Sequence, residues 1–450
     1  MKRTILDTLL LFIFAPLATA SGIAFASPGT QGRVMYKATT RVGVSYAKDP
    51  HVVKFKGRYL MYYSIPPSHS NGMERWSIGI AKSKDLIHWM CAGEITPRKD
   101  LEYERKGMCA PCAIVKDGRV HLFYQTYGNR ERDAICHAVS KDGLHFKRDT
   151  TNPIFHPQPA DWTCGRAIDA EVALFKGKYY LYYATRDPEF KTQKIGVAVA
   201  EADTDFSRGE WREPTEKSIL YPILPWEKAC IEAPSVIVRD SMMYMFYAGG
   251  YNNESQQIGL ATSKDGINFE RIGPEPFKQN GREGEWNASE SGHPHVFRNS
   301  DGKTYLFFQE NNDDGKTWLI SQEEIAWKKT RQGRSFPYLN SERERFNNSR
   351  KIFEDYDELP HYAGEPDKKL GDFIKENIHF PESQTNAHGR VIVSFLVDID
   401  GNTSDFKISK GINPELDAEA LRVARLIKMR RGYNQWTTAK YSVVVDFKAR

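Results

Sequence analysis

A pattern that recurs five times, with a period near sixty residues, constrains this chain more than any other feature. The five segments run from Asp49 to Tyr63, Ala110 to Tyr124, Asp169 to Tyr183, Ala233 to Tyr247 and His293 to Phe308, and their starts lie 61, 59, 64 and 60 residues apart. Each holds a short polar word, a β-rich run, a tight turn and an aromatic run. A second word follows, seen in Ile78-Gly-Ile-Ala, Ile135-Cys-His-Ala, Ile195-Gly-Val-Ala and Ile258-Gly-Leu-Ala. A Lys-Asp turn and an aromatic follow three of these words, and the fifth is degenerate around Trp318-Leu-Ile-Ser321. Alternating strands bounded by turn residues read as antiparallel hairpins. Four strands repeated five times describe a mainly β fold, a five-bladed β-propeller over residues 33–327. Two packed sandwiches would not produce a fixed period.

The remaining sequence divides simply. Lys2 and Arg3 precede the apolar stretch Leu9 to Ala18, and small-x-small words follow at Ala18-Thr19-Ala20 and Ala24-Phe25-Ala26. Residues 1–26 are therefore expected to be a secretory signal peptide, and the protein is expected to be periplasmic or otherwise exported. A polar, charged stretch over 328–355 reads as a linker to a small module at 356–450. The composition, 40% hydrophobic and 27% charged, excludes a largely disordered chain. A net charge of +5 without a dense basic block or zinc-finger spacing excludes nucleic acid as the expected partner. The six cysteines include Cys109-Ala-Pro-Cys112, which opens a strand rather than a helix, so buried structural thiols are expected instead of a redox pair.

In a propeller the first strand of each blade lines the central channel, and its first residue sits at one mouth. The phase of the repeat places Asp49, Asp169 and His293 there, with Glu232 one residue ahead of Ala233. Three carboxylates from separate blades converging on one pore raise one another's pKa, which suits acid/base chemistry. Trp162, Trp226, Trp286 and Tyr103 each lie seven residues before a first-strand start, which fits blade packing better than sugar binding. Trp76 breaks that phase, at the end of the loop 64–77 that carries His69 and Asn71, and is the better candidate for a sugar platform. Arg130, Arg186, Asn252 and Asn253 fall in equivalent loops and can meet sugar hydroxyls.

The ordered words Lys48-Asp49-Pro50, Ile168-Asp169-Ala170 and Glu232-Ala233-Pro234, with Ser-Lys-Asp-Leu-Ile-His-Trp89, resemble glycoside hydrolase family 43 over residues 40 to 325. The resemblance implies Asp49 as general base, Asp169 as the residue orienting and tuning the acid, and Glu232 as general acid. It also implies His293 as a residue near a central calcium or its waters. The sequence departs from the family where Ala follows Glu232 and where Glu171 follows Ala170. Glu171 shares the face of Asp169 and is a second candidate acid. Trp76, Arg186, Glu171 and His51 are assigned to the substrate. Asp49 would deprotonate water, and Glu232, kept protonated by its neighbours, would protonate the leaving oxygen with inversion. The expected activity is hydrolysis of plant or algal oligosaccharides by an exported monomer, arabinofuranosidase or xylosidase by default. No cofactor is required, and a structural calcium in the central channel is compatible. Two alternatives stay open: a non-catalytic glycan-binding propeller held in the envelope by its tail, and a related anhydrogalactosidase or mannoside phosphorylase.

The tail reads as αββαβ. A short helix carries Phe373, Ile374 and Ile378. Strands follow at Arg390 to Val397 and Phe406 to Ser409, then a helix at Pro414 to Met429 and a strand at Tyr441 to Phe447. With Ala363-Gly-Glu365 and Leu416-Asp-Ala-Glu-Ala-Leu421, this resembles the carboxy-terminal domain of TonB energy transducers. The resemblance implies a periplasmic protein partner, met by edge-strand pairing.

Overall fold

The computed structural model describes residues 33–36, 38, 41–68, 74–281, 283, 285–329, 335–339, 361–363, 370–381, 388–398, 401–430 and 439–447. The expected signal peptide, the loop residues His69 and Asn71, and residues 330–334 and 340–355 of the expected linker lie outside the described residues.

Five antiparallel sheets follow one another along the chain. Their innermost strands are Lys48–Phe55, Met108–Lys116, Ile168–Phe175, Ile231–Arg239 and Glu290–Arg298. The hairpins after four of these strands turn on Lys56-Gly57, Asp117-Gly118, Lys176-Gly177 and Asp240-Ser241, with positive φ at both central residues. That geometry matches the right-handed twist of the strands it joins. The Ser-x-Asp turns also repeat. In blade two Ser140 Oγ accepts from the Gly143 N–H, and Asp142 Oδ1 accepts from the N–H groups of Leu144 and His145. This delivers Phe146 to the Tyr62 ring of blade one, at 5.7 Å between centroids.

Five buried apolar clusters hold the disc, one between each pair of neighbouring blades. The cluster joining Val52 and Met61 to Phe297, Phe307 and Ile320 closes the ring between blades one and five. Tyr103, Trp162 and Trp226 pack against these clusters, as their phase predicts. Trp286 differs and is 44% exposed.

Two blades depart from the expected four strands. Blade three has three strands, Ile168–Phe175, Lys178–Arg186 and Gln193–Glu201, with only isolated bridges along its outer edge. Its sequence lacks the Lys-Asp-Gly turn that opens a fourth strand elsewhere. In blade five, Arg33–Tyr36 and Ser335–Leu339 both pair with Leu319–Lys329, one at each end. The propeller therefore extends to Leu339, and residues 328, 329 and 335–339 are strand rather than linker.

The carboxy-terminal module has the helices Leu370–Asn377 and Pro414–Leu426 and a sheet ordered Thr403–Lys410, Gly389–Val397, Ala439–Phe447. Asn413 caps the second helix by accepting from the Leu416 N–H at 3.0 Å. Ile374, Val391, Val393, Phe395, Leu416 and Val423 form its core. The αββαβ order stands, with one added short pair, His361–Tyr362 and Met429–Arg430. No helix among the described residues is long and apolar enough to cross a membrane. All six cysteines are free, and four of them, Cys109, Cys112, Cys136 and Cys230, are buried.

Candidate active site

Each innermost strand begins with the same irregularity. Asp49, Ala110, Asp169, Ala233 and His293 all have φ between 42° and 51°, and each sits in a register break of its hairpin. A left-handed residue with a Cβ costs of the order of 1–3 kcal/mol and persists only where its surroundings hold it. Here the neighbouring blade holds it. The N–H of Asp49 donates to Gln309 Oε1 at 3.1 Å, that of Ala110 to Ser64 Oγ at 2.7 Å, and that of Asp169 to Gln125 Oε1 at 2.8 Å.

His51, Cys112, Glu171, Ser235 and His295 lie two residues deeper and form a second ring. The Ala113 N–H donates to His51 Nδ1 at 3.2 Å, Val172 to Cys112 Sγ at 3.3 Å, Val236 to Glu171 Oε1 at 2.8 Å, and Val296 to Ser235 Oγ at 3.0 Å. His295 Nε2 closes the circle by donating to the Val52 carbonyl at 3.1 Å. Every bond links one blade to the next. His51 and Glu171, assigned to the substrate and (for Glu171) to acid chemistry, are thus corrected: both are buried in this ring, 3.1 Å from each other, below the mouth. Strand alternation puts them on the channel face without giving their depth.

The mouth opens into a cleft of about 450 Å³. Asp49, Asp169, Glu232, Trp76 and Arg186 line it, as the sequence predicts. His293 binds both outer acids, with Nδ1 2.9 Å from Asp49 Oδ1 and Nε2 3.1 Å from Glu232 Oε1. Glu232 also accepts from Gln256 Nε2 at 2.7 Å and from Gln193 Nε2. Asp169 Oδ2 is buried without a hydrogen-bond partner.

Charge follows from these contacts. Burial pushes the His293 pKa down, but Asp49, Glu232 and Asp169 together carry it well above the ordinary value, so it is an imidazolium. Burial alone would raise Asp49, yet His293, Lys48 and Ser64 bring it down to about 2. Glu232 is likewise lowered, because bonds from His293 and Gln256 and the Lys48 charge outweigh burial. Asp169 rises to about 7, through burial and the neighbouring Glu232 and Asp49, which exceed the help from His293 and Arg166. The expectation that Glu232 is the protonated acid therefore does not hold in the free site: its donors favour the ionised form, and the protons rest on Asp169 and His293.

A calcium ion takes 6–8 oxygen ligands. Asp169, Glu232 and His293 do converge, with ligand atoms within 4.8 Å of one another. However, both His293 nitrogens already bind carboxylates, and Glu232 is occupied by three donors. In the deeper group His51 Nδ1 accepts a backbone N–H, so Nε2 carries the proton and points it at Glu171. Neither set, as arranged, offers calcium the oxygens it takes directly, and His293 bridges two carboxylates.

Sequence reasoning passed over Gln193, Gln256, Arg166, Tyr127 and Tyr251. The signal was present for the glutamines. Trp76, Asp133, Gln193 and Gln256 each stand two residues before the Ile of the second repeated word, and Trp76 and Gln193 line the cleft.

Comparisons with known proteins agree with this architecture. Residues 42–329 match glycosyl hydrolases family 43, and residues 377–449 match the Gram-negative bacterial TonB protein C-terminal family. A sucrose-6-phosphate hydrolase of Zymomonas mobilis subsp. mobilis is 33% identical over 113 residues, 23% of this chain. The match spans only 22% of that relative's length. A 1,2-beta-oligomannan phosphorylase of Thermoanaerobacter sp. (strain X514) is 24% identical over 238 residues, covering 41% of this chain and 79% of that protein. Among solved structures, a thermostable family-43 glycoside hydrolase superposes with a TM-score of 0.52 at 19% identity, covering 67% of this chain and 96% of that one.

Proposed function

Since the chain belongs to glycosyl hydrolases family 43, we propose that its propeller hydrolyses O-glycosidic bonds of plant or algal oligosaccharides by an inverting acid/base reaction. The observation that carries this reading is the bridge Asp49–His293–Glu232 at the mouth of the cleft. Two hydrogen bonds and an imidazole separate the carboxylates, so they stand well apart, in keeping with the roughly 6.5–9.5 Å spacing of inverting pairs. Asp49, ionised across the working pH range, takes the proton of that water. Glu232 is held ionised chiefly by His293. A glycosidic oxygen arriving between the two removes that bond, burial then dominates, and Glu232 takes up a proton from the His293–Asp169 store. It delivers that proton to the leaving oxygen. Trp76, packed 5.6 Å from Tyr127, supplies an aromatic wall for a sugar ring.

Arabinofuranosidase or xylosidase activity is the default. Reducing-sugar release from arabinan, xylan and galactan tests it, with the anomer of the product read by NMR. Saturable binding with no release on any glycan would sink the catalytic reading in favour of a glycan-binding propeller. The oligomannan phosphorylase relative supports a second reading, phosphorolysis, which cleavage strictly dependent on inorganic phosphate would select. The carboxy-terminal module supports a location in the Gram-negative envelope and a protein partner there. Fractionation of cells expressing the full chain tests the location.

A further inference from the structure

One wall of the cleft carries more positive charge than a proton transfer between carboxylates needs. Arg186 Nε donates to Gln193 Oε1 at 3.0 Å, and Arg166 Nη1 reaches the same oxygen at 3.5 Å. Two guanidinium groups thus converge on one neutral acceptor. Among the described residues Arg186 forms no ion pair; it lies 4.4 Å from the Phe190 ring and 4.9 Å from Tyr251. Arg166 and Arg130 each lie 5.6 Å from that same Phe190 ring. Among the described residues Arg166 is ion-paired with Asp133, with 3.7 Å between Nε and Oδ2, and its charge also reaches Asp169; Arg166 Nε is buried without a hydrogen-bond partner. Asp133 takes Thr126 and the Asn129 N–H on Oδ1 and turns Oδ2 toward Arg166 beyond hydrogen-bond distance.

We propose that Arg166 and Arg186 form a binding site for an anionic group, a carboxylate or an ester phosphate, borne by the sugar chain that the enzyme cleaves. The proposal deepens the catalytic reading above and rests on it. Three features carry it. Guanidinium forks match carboxylate and phosphate oxygens two by two, and both arginines line the cleft. Aromatic stacking on Phe190 and Tyr251 fixes Arg186 in advance, so less side-chain freedom is lost when an anion binds. Gln193 joins the two functions: its oxygen accepts from both arginines and its amide donates to Glu232. An anion seated on the arginines therefore lies one amide group from Glu232, on the sugar beside the scissile bond. Neutral pentose chains would leave the Arg186 charge matched by no anion, with only the Gln193 oxygen and the Phe190 and Tyr251 rings beside it.

Calorimetry with monosaccharides, which need no turnover, tests the site at low ionic strength. The ligands are glucuronate against glucose, galacturonate against galactose, the two 6-phosphates, and inorganic phosphate alone. At least one anionic sugar should bind about tenfold or more tighter than its neutral partner, the scale of a charge-assisted hydrogen-bonded pair. Arg186→Gln should bring that ratio close to one, and Arg166→Gln should do the same if it keeps its fold by circular dichroism. The carboxylate and ester arms identify which anion is recognised. The proposal is overturned if no pair shows a preference, or if the preference survives in Arg186→Gln. It is also overturned if inorganic phosphate binds more tightly than every acidic sugar and drives cleavage of neutral glycans. Failure of the catalytic reading has a separate signature: Asp49→Ala would keep its turnover while the binding ratios stayed as they are.

Discussion

The two rings of the channel are built from the same repeat, two residues apart across Pro50, Pro111, Ala170, Pro234 and Pro294, yet they end in opposite states. At the mouth three carboxylates surround one histidine, and His293 is a cation. In the deeper ring two histidines share one carboxylate. There burial brings His51 down to about 3 and His295 well below its ordinary value, while it lifts Glu171 to about 7. Both rings are buried, so desolvation alone does not separate them. The ratio of acids to bases does, because a buried charge survives only where opposite charges compensate it. The mouth keeps charges and opens to a cleft. The deeper ring is close to neutral, and its polar atoms stitch each blade to the next.

The contrast is most sharply broken by removing the mouth's acids. Asp49→Ala and Glu232→Gln should each lower kcat by roughly 10²–10⁴-fold, the usual contribution of a general acid or base, with the fold intact by circular dichroism. Wild-type rates in both variants would end the assignment. Next in size is the bridge. His293→Gln should lose about tenfold to hundredfold in kcat/KM, since it removes the cation that holds Asp49 ionised and stores a proton for Glu232. The pH profile belongs to the same comparison. Asp49 titrates near 2 and imposes no limb in the neutral range. Asp169 titrates near 7, so kcat/KM should fall above that pH as the stored proton is lost. An alkaline limb unchanged in Asp169→Asn would refute this origin.

Glu171→Gln should behave differently, with turnover within a few-fold of wild type. Its signature is thermal. The folded-state pKa of Glu171 lies near 7, above its ordinary 4.5, so between these values the folded protein binds more protons than the unfolded one. The neutral carboxyl thus supports the fold fully below 4.5 and loses that support as pH rises through 7. Melting temperature should therefore fall across that window in the wild type and fall less in Glu171→Gln. Equal slopes would remove the buried carboxyl from the account. The smallest effect is expected at Trp76→Ala, a rise of a few-fold in KM with kcat kept, as for a wall that binds ground and transition states alike.

Much of this comparison was legible beforehand. The phase of the repeat placed Asp49, Asp169 and Glu232 at one mouth, because successive blades repeat the same hairpin and each first residue meets the same axis. The same reasoning misjudged His51 and Glu171. A period of two assigns a face of a strand, and both rings share that face. It also left Gln193 and Gln256 unread, although each stands two residues before a repeated Ile, because an amide has no chemistry of its own until an acid is placed beside it. Arg166 gave no periodic signal; only its approach to Gln193 and Phe190, 27 and 24 residues further on, shows what it faces.

By itself the sequence determined the five blades, their hairpins and the axial phase of the acids, since strand alternation and turn chemistry are local and a repeat multiplies them. Tertiary structure alone decided three things. It completed blade five with Arg33–Tyr36, from ahead of blade one, and Ser335–Leu339 on the same strand. It set the depth of each ring. It also set which groups hold protons, because ionisation depends on charges that arrive from other blades, and no segment of chain contains them together.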